Sequence, residues 1–150
     1  MASPVDAILV LCDAAVADQA TGKVHMLGAG WSRTGSPTAP SAVVAMIKVP
    51  WDRANQRLDL TLHLQDSDGQ LVTLSTPEGA QPVRADGAVE VGRPPGVTPG
   101  SPLDTSFVLS LPPLPLSPGR YEWRLHVAER DFVASFEVRQ SSPGVGFPLS

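Results

Sequence analysis

Two alternating runs near the C-terminus constrain the fold more than anything else in this chain. In Tyr121-Glu122-Trp123-Arg124-Leu125-His126-Val127, the residues Tyr121, Trp123, Leu125 and Val127 share one face, and Glu122, Arg124 and His126 share the other. In Phe132-Val133-Ala134-Ser135-Phe136-Glu137-Val138, Phe132, Ala134, Phe136 and Val138 make a matching apolar face. A side-chain period of two, apolar on one side and polar on the other, describes strands with one face on a core and one in water. The short Ala128-Glu129-Arg130-Asp131 link folds the runs into an antiparallel hairpin. The pattern dictates a fold class and names no chemistry.

The rest of the chain repeats the signal more weakly. Leu58, Leu60, Leu62 and Leu64 alternate with Asp59, Thr61, His63 and Gln65, and Asp68-Gly69 then turns into Leu71 to Leu74 as a hairpin. Thr105, Phe107, Leu109 and Leu111 restore the alternation, and Ala7 to Leu11 reads as a buried strand. Lys23 to Arg33 reads as one strand interrupted at Gly28 and Gly30, where a bulge or a close crossing is expected and Trp31 covers the gap. A helix of a turn or two fits Ala14, Ala15 and Ala17. From Pro77 to Pro102 the chain reads as loop, with one short strand over Ala88 to Val91.

The 16 prolines and 13 glycines lie between the apolar runs, which means many turns and short strands. The expected fold is all-β: a single antiparallel β-sandwich, immunoglobulin-like or related, of about eight short strands. It spans residues 1–140, and residues 141–150 read as a flexible C-terminal tail. Its core draws on Leu58, Leu60, Leu62, Leu64, Phe107, Leu109, Tyr121, Trp123, Leu125, Phe132 and Phe136.

Charge narrows the partners. Eleven basic against 15 acidic residues give a net of −4, without the basic stripe that nucleic acid or an anionic membrane requires. No stretch approaches the roughly 20 apolar residues of a membrane span. Cys12 is the single cysteine, so no intrachain disulfide forms, and it reads as a small buried hydrophobe in a cytoplasmic protein.

No constellation declares a reaction. His25, His63 and His126 have no ligand spacing, and Asp66-Ser67-Asp68-Gly69 reads as a hairpin turn rather than a calcium loop. Leu27-Gly28-Ala29-Gly30-Trp31 lacks the third glycine and the helix of a phosphate loop, and no G-x-S-x-G occurs. The expectation is therefore no catalytic residue, no metal and no cofactor.

A non-catalytic binding or assembly module, meeting a protein partner through strand-end loops, is the leading reading. Its candidate contacts are Trp31, Trp51, Asp52, Arg53 and Arg93, because tryptophan and arginine are enriched in interface hot spots. The Trp51 loop also has a structural reading, in which the indole folds back over the sandwich end. The alternative function is an enzyme acting on a small molecule or sugar in a cleft near Asp13, His25 and Trp31.

Ala42 to Val49 adds a partner expectation. It is apolar on both faces, so its second face, including Val44 and Met46, needs cover from the Pro77-to-Pro102 loop or from another copy. A homodimer is expected.

Five segments taken together resemble a known family. They are Leu11-Cys12-Asp13-Ala14-Ala15, Gly22-Lys23 with Leu27-Gly28-Ala29-Gly30-Trp31, Val49-Pro50-Trp51-Asp52-Arg53-Ala54-Asn55, Val91-Gly92-Arg93-Pro94-Pro95, and Leu116-Ser117-Pro118-Gly119-Arg120-Tyr121-Glu122-Trp123. The pattern, covering most of the chain, resembles small actinobacterial proteins known only as a domain of unknown function. The resemblance implies a bacterial cytoplasmic β-sandwich and brings no activity, cofactor or catalytic residue.

Overall fold

A computed structural model describes residues 4–140 as strands joined by turns and loops, with one 3₁₀ turn at Trp51–Arg53. The first half of the chain supplies β1 (Asp6–Cys12), β2 (Ala14–Ala17), β3 (Val24–Leu27), β4 (Arg33–Thr34), β5 (Ser41–Val49) and β6 (Leu58–Asp66). The second half supplies β7 (Thr73–Thr76), β8 (Gly79–Pro82), β9 (Arg84–Val89), β10 (Leu103–Leu111), β11 (Gly119–Val127) and β12 (Arg130–Val138). The fold is all-β, as the alternation requires.

Two sheets carry the sandwich. One has the order β1-β5-β10, and the other β4-β12-β11-β6-β9. Pairing is antiparallel throughout, except that β4 runs parallel to β12 over Arg33 and Thr34. The smaller hairpins β2–β3 and β7–β8 lie outside this pair.

Alternation explains which residues meet in the middle. Leu58, Leu60, Leu62 and Leu64 all face inward from β6 and are buried, opposite Ala7, Leu11, Val43, Ala45, Ile47 and Val49 of the first sheet. Trp123, Leu125, Val127, Phe136 and Val138 complete the layer. Each fully buried leucine or valine contributes about 1.5–3 kcal/mol relative to exposure. Phe107, Leu109, Tyr121 and Phe132 pack against this core while staying half-buried. The β11–β12 hairpin closes with a two-residue turn, Ala128 and Glu129 taking φ of 49° and 64° as a primed turn demands.

The second face of β5 is covered differently from expectation. Val10, Cys12, Ala42, Val44, Met46 and Val108 pack against Ala15, Val24 and Met26, so the lid is the β2–β3 hairpin. The 77–102 segment does not take that role, and Val44 is fully buried within the one chain. Ala14–Ala17 is accordingly a strand and not a short helix, because pairing with β3 and burial of its inward side chains outweigh alanine's helix preference. The hairpin tip sits close on β10: a Cβ added at Gly22 would lie 2.8 Å from the Asp104 carbonyl oxygen. Beneath the lid, the Cys12 thiol donates to the Ala42 carbonyl at 3.6 Å.

Two further expectations change. Lys23 to Arg33 is not one strand: Gly28 and Gly30 take φ of 62° and 93°, which turns the chain between β3 and β4. Trp31 meets Phe136 edge-on with centroids 5.6 Å apart, while the space beside Gly28 is taken by Asp13 and nothing lies within 4 Å of a Cβ at Gly30. Pro77 to Pro102 is not all loop either, since β8 pairs with β7 and β9 extends the larger sheet beside β6. Irregular chain remains over 90–102. The expected tail at 141–150 lies outside the described residues.

Candidate functional site

The strand-end loop after β5 is built by local rules. Pro50 holds an extended backbone with φ −61° and ψ 150°, and the chain then tightens into the 3₁₀ turn Trp51–Arg53. The Arg53 N–H donates to the Pro50 carbonyl at 2.9 Å. Asn55 follows with φ of 60°, a conformation its short polar side chain tolerates, and its N–H donates to the Val91 carbonyl at 2.7 Å. That last bond ties the turn to the loop after β9.

Arg93 completes the tie. Its Nε and Nη2 donate to the Trp51 carbonyl oxygen at 3.2 and 2.6 Å, and its guanidinium carbon lies 4.4 Å from the indole centroid. A planar guanidinium stacked on an indole combines cation–π attraction with a forked donor set. Trp51 is also packed against the core, so the structural reading of its loop holds, yet the indole is only half-buried. It forms one wall of a groove of about 620 Å³ together with Pro4, Lys48, Pro50, Asp52 and Pro102. Lys48 is paired with Asp104 across β5 and β10.

The five candidate contacts do not converge on one place. Trp51, Asp52 and Arg53 share the 3₁₀ turn, and Arg93 joins them from 42 residues away. Trp31 stands apart, packed on Phe136, with its Nε1 buried and lacking a hydrogen-bond partner. Of Asp13, His25 and Trp31, His25 alone lines the groove that it borders. His25 borders a second groove of about 670 Å³, whose walls include Ile8, Met46, Lys23 and Lys48 but neither Asp13 nor Trp31. Asp13 lies where β2 begins, its N–H donating to Leu27 and its carboxylate against Gly28.

Other reactive side chains are committed to structure. Asp66 Oδ1 accepts the N–H groups of Asp68 and Gln70 at 2.9 and 3.0 Å, the bonding of a tight turn. Burial, followed by the charge of Asp13, pushes the Cys12 thiol above its usual value and away from the reactive thiolate. Among the described residues no group of three His, Cys, Asp or Glu side chains is placed to hold a metal ion. No protein-family model matches the chain, and no curated protein matches it in sequence.

One polar cluster escaped the sequence reading. On the outer face of the larger sheet, Arg124 bridges Glu122 at 3.0 Å and Asp131 at 3.4 Å, and His126 Nδ1 lies 2.7 Å from Asp131 Oδ1. The hydrogen bond from His126 is the main cause that holds the Asp131 carboxyl below the usual carboxylate range. The alternation that put Glu122, Arg124 and His126 on one face was the available signal; the Asp131 contact needed the hairpin register, His126 opposite Asp131.

Proposed function

We propose that this protein is a non-catalytic binding or assembly module of the bacterial cytoplasm, which docks an extended segment of a partner protein in the groove beside Trp51. The observation that carries the reading is the Arg93 clamp on Trp51. An indole held from its carbonyl and its ring face is pre-organised, so little side-chain entropy is lost when a ligand packs on it. Proline rings and an aromatic wall suit an extended backbone.

The likeness to small actinobacterial β-sandwich proteins supplies the bacterial setting of the proposal and no ligand. Absence of a membrane-crossing helix among the described residues is compatible with it. The enzyme reading is weaker, because the groove that His25 borders includes neither Asp13 nor Trp31.

Site-specific cross-linking in cells tests the proposal. A photoreactive side chain at Asp52 is expected to capture one partner, whereas the same group at exposed Ala80 on β8 captures none. Arg93→Ala should reduce the adduct at position 52 several-fold. Equal capture at both positions, or an adduct indifferent to Arg93, would reject the groove as the docking site.

A further inference from the structure

We propose that β3 takes up a third strand from the partner: the extended segment that docks beside Trp51 runs on past Asp6 and Lys48 and pairs with the backbone of Val24 and Met26. This site deepens the Trp51 reading and rests on it for its occupant.

One hydrogen bond and the register orient the β3 backbone. The Asp18 N–H donates to the Lys23 carbonyl at 2.8 Å, and these two residues continue the register that sets Ala17 opposite Val24. In an antiparallel pair, directly opposed residues alternate between exchanging backbone bonds and turning them outward. Lys23, His25 and Leu27 therefore face β2 with their backbone groups, and Val24 and Met26 turn theirs to the other edge. The side chains of Val24 and Met26 pack down on the cluster of Cys12, Ala42 and Val44. Among the described residues β3 pairs with β2 alone, and no loop or turn backbone bond reaches Val24 or Met26.

That edge opens on a groove. Lys23 and Val24 of the lid line the space of about 670 Å³ together with Ile8 and Met46, which are direct neighbours on the sheet beneath. The lid covers Val10 and Val44 but leaves Ile8 55% exposed. Backbone donors and acceptors at alternate residues, beside an apolar floor, complement an extended main chain with an apolar side chain at every second position.

Continuity and charge name the occupant. Asp6 and Lys48 line this groove and the Trp51 groove alike, so the two form one track. Lys48 is neutralised by Asp104. Asp6, at the junction, and Lys23, at the lid, have no ion-pair partner among the described residues. Their opposite signs favour a segment that is basic near the junction and acidic at the lid, which fixes its direction.

Peptides selected from a random extended library on the immobilised protein are the probe, read by amide hydrogen exchange and proton–nitrogen spectra. They are expected to protect the Val24 and Met26 amides while shifting the Trp51 indole signal. Methylating the peptide's backbone nitrogens one at a time should weaken binding several-fold at every second position of the stretch on β3. Ile8→Lys, at a side chain already largely in water, should fold as wild type and weaken the same peptides several-fold. Should that variant fail to fold, the methylation pattern on wild type decides. Peptides that shift Trp51 while both amides exchange freely, or a methylation series without the alternation, overturn the third strand and leave the Trp51 reading standing. Peptides that protect both amides with Trp51 unmoved uphold the third strand and reject the Trp51 groove. A library without a binder overturns both. Protection of the two amides that rises with protein concentration alone gives the edge to a second copy and overturns the proposal.

Discussion

The guanidinium of Arg93 stacks 4.4 Å from the ring centroid of Trp51 and donates two hydrogen bonds to that residue's own carbonyl oxygen. One side chain therefore fixes both the backbone turn and the aromatic wall of the groove beside it. Removing it separates these effects from the packing of Trp51 on the core. Arg93→Ala should cost about 1 kcal/mol of stability, the scale of an exposed cation–π contact. It should also raise acrylamide quenching of tryptophan fluorescence as the indole loosens. Arg93→Lys should recover only part of the effect, because an ammonium stacks less well and has no planar fork.

Val44 gives a sharper test of the lid. It is fully buried beneath β2–β3, so Val44→Lys is expected to abolish the cooperative thermal transition, an unpaired buried ammonium being more than a marginal domain sustains. Val44→Ala should fold and lose about 2 kcal/mol in urea titration. A folded, cooperative Val44→Lys protein would mean that the hairpin lifts from the sheet.

Gly87 lies in β9 with no room for a side chain. A Cβ there would stand 2.7 Å from Cε2 of Phe107, which reaches across from β10. Gly87→Ala should destabilise by about 1–3 kcal/mol through that overlap, measured by denaturant titration. The double variant Gly87→Ala with Phe107→Leu should recover part of the loss.

These sites show where the sequence was readable. The strands β6, β11 and β12 were legible because one face is buried and the other wet, which writes a period of two into the residues. β5 is legible as well, but that the β2–β3 hairpin lies over its second face depends on tertiary packing that no local pattern encodes. Ala14–Ala17 has too few residues to display a period, and alanine favours helix locally, so only pairing with β3 reveals it as a strand. β8 was hidden for a different reason: Gly79-Ala80-Gln81-Pro82 is exposed throughout and carries no apolar pattern. At the site, Trp51, Asp52 and Arg53 are neighbours in sequence and were found together. Arg93 was a separate candidate whose contact with Trp51 depends on the path of the 90–102 segment, which no local pattern encodes.

The Asp131 cluster predicts a pH response. Its carboxyl is held below the ordinary value of 3.8 in the fold, chiefly by His126. A depressed carboxyl stabilises the fold above the unfolded value, and that contribution disappears as pH falls through the folded value. Asp131→Asn should therefore be less stable than wild type near neutrality, with the gap closing in strong acid. Thermal melts from neutral pH into that range measure the gap, and a difference unchanged at every pH would deny Asp131 this role.

The most direct test of the Trp51 groove uses the indoles themselves. The chain has three tryptophans, so a proton–nitrogen correlation spectrum offers separate indole signals for Trp31, Trp51 and Trp123. Peptides selected from a random extended library on the immobilised protein are the ligands to titrate. The groove predicts that selected peptides shift the Trp51 indole signal and leave those of Trp31 and Trp123 in place, with affinity falling about tenfold in Arg93→Ala, a loss of about 1.4 kcal/mol. Peptides that bind with the Trp51 signal unmoved, or that bind Arg93→Ala as tightly as wild type, would contradict it.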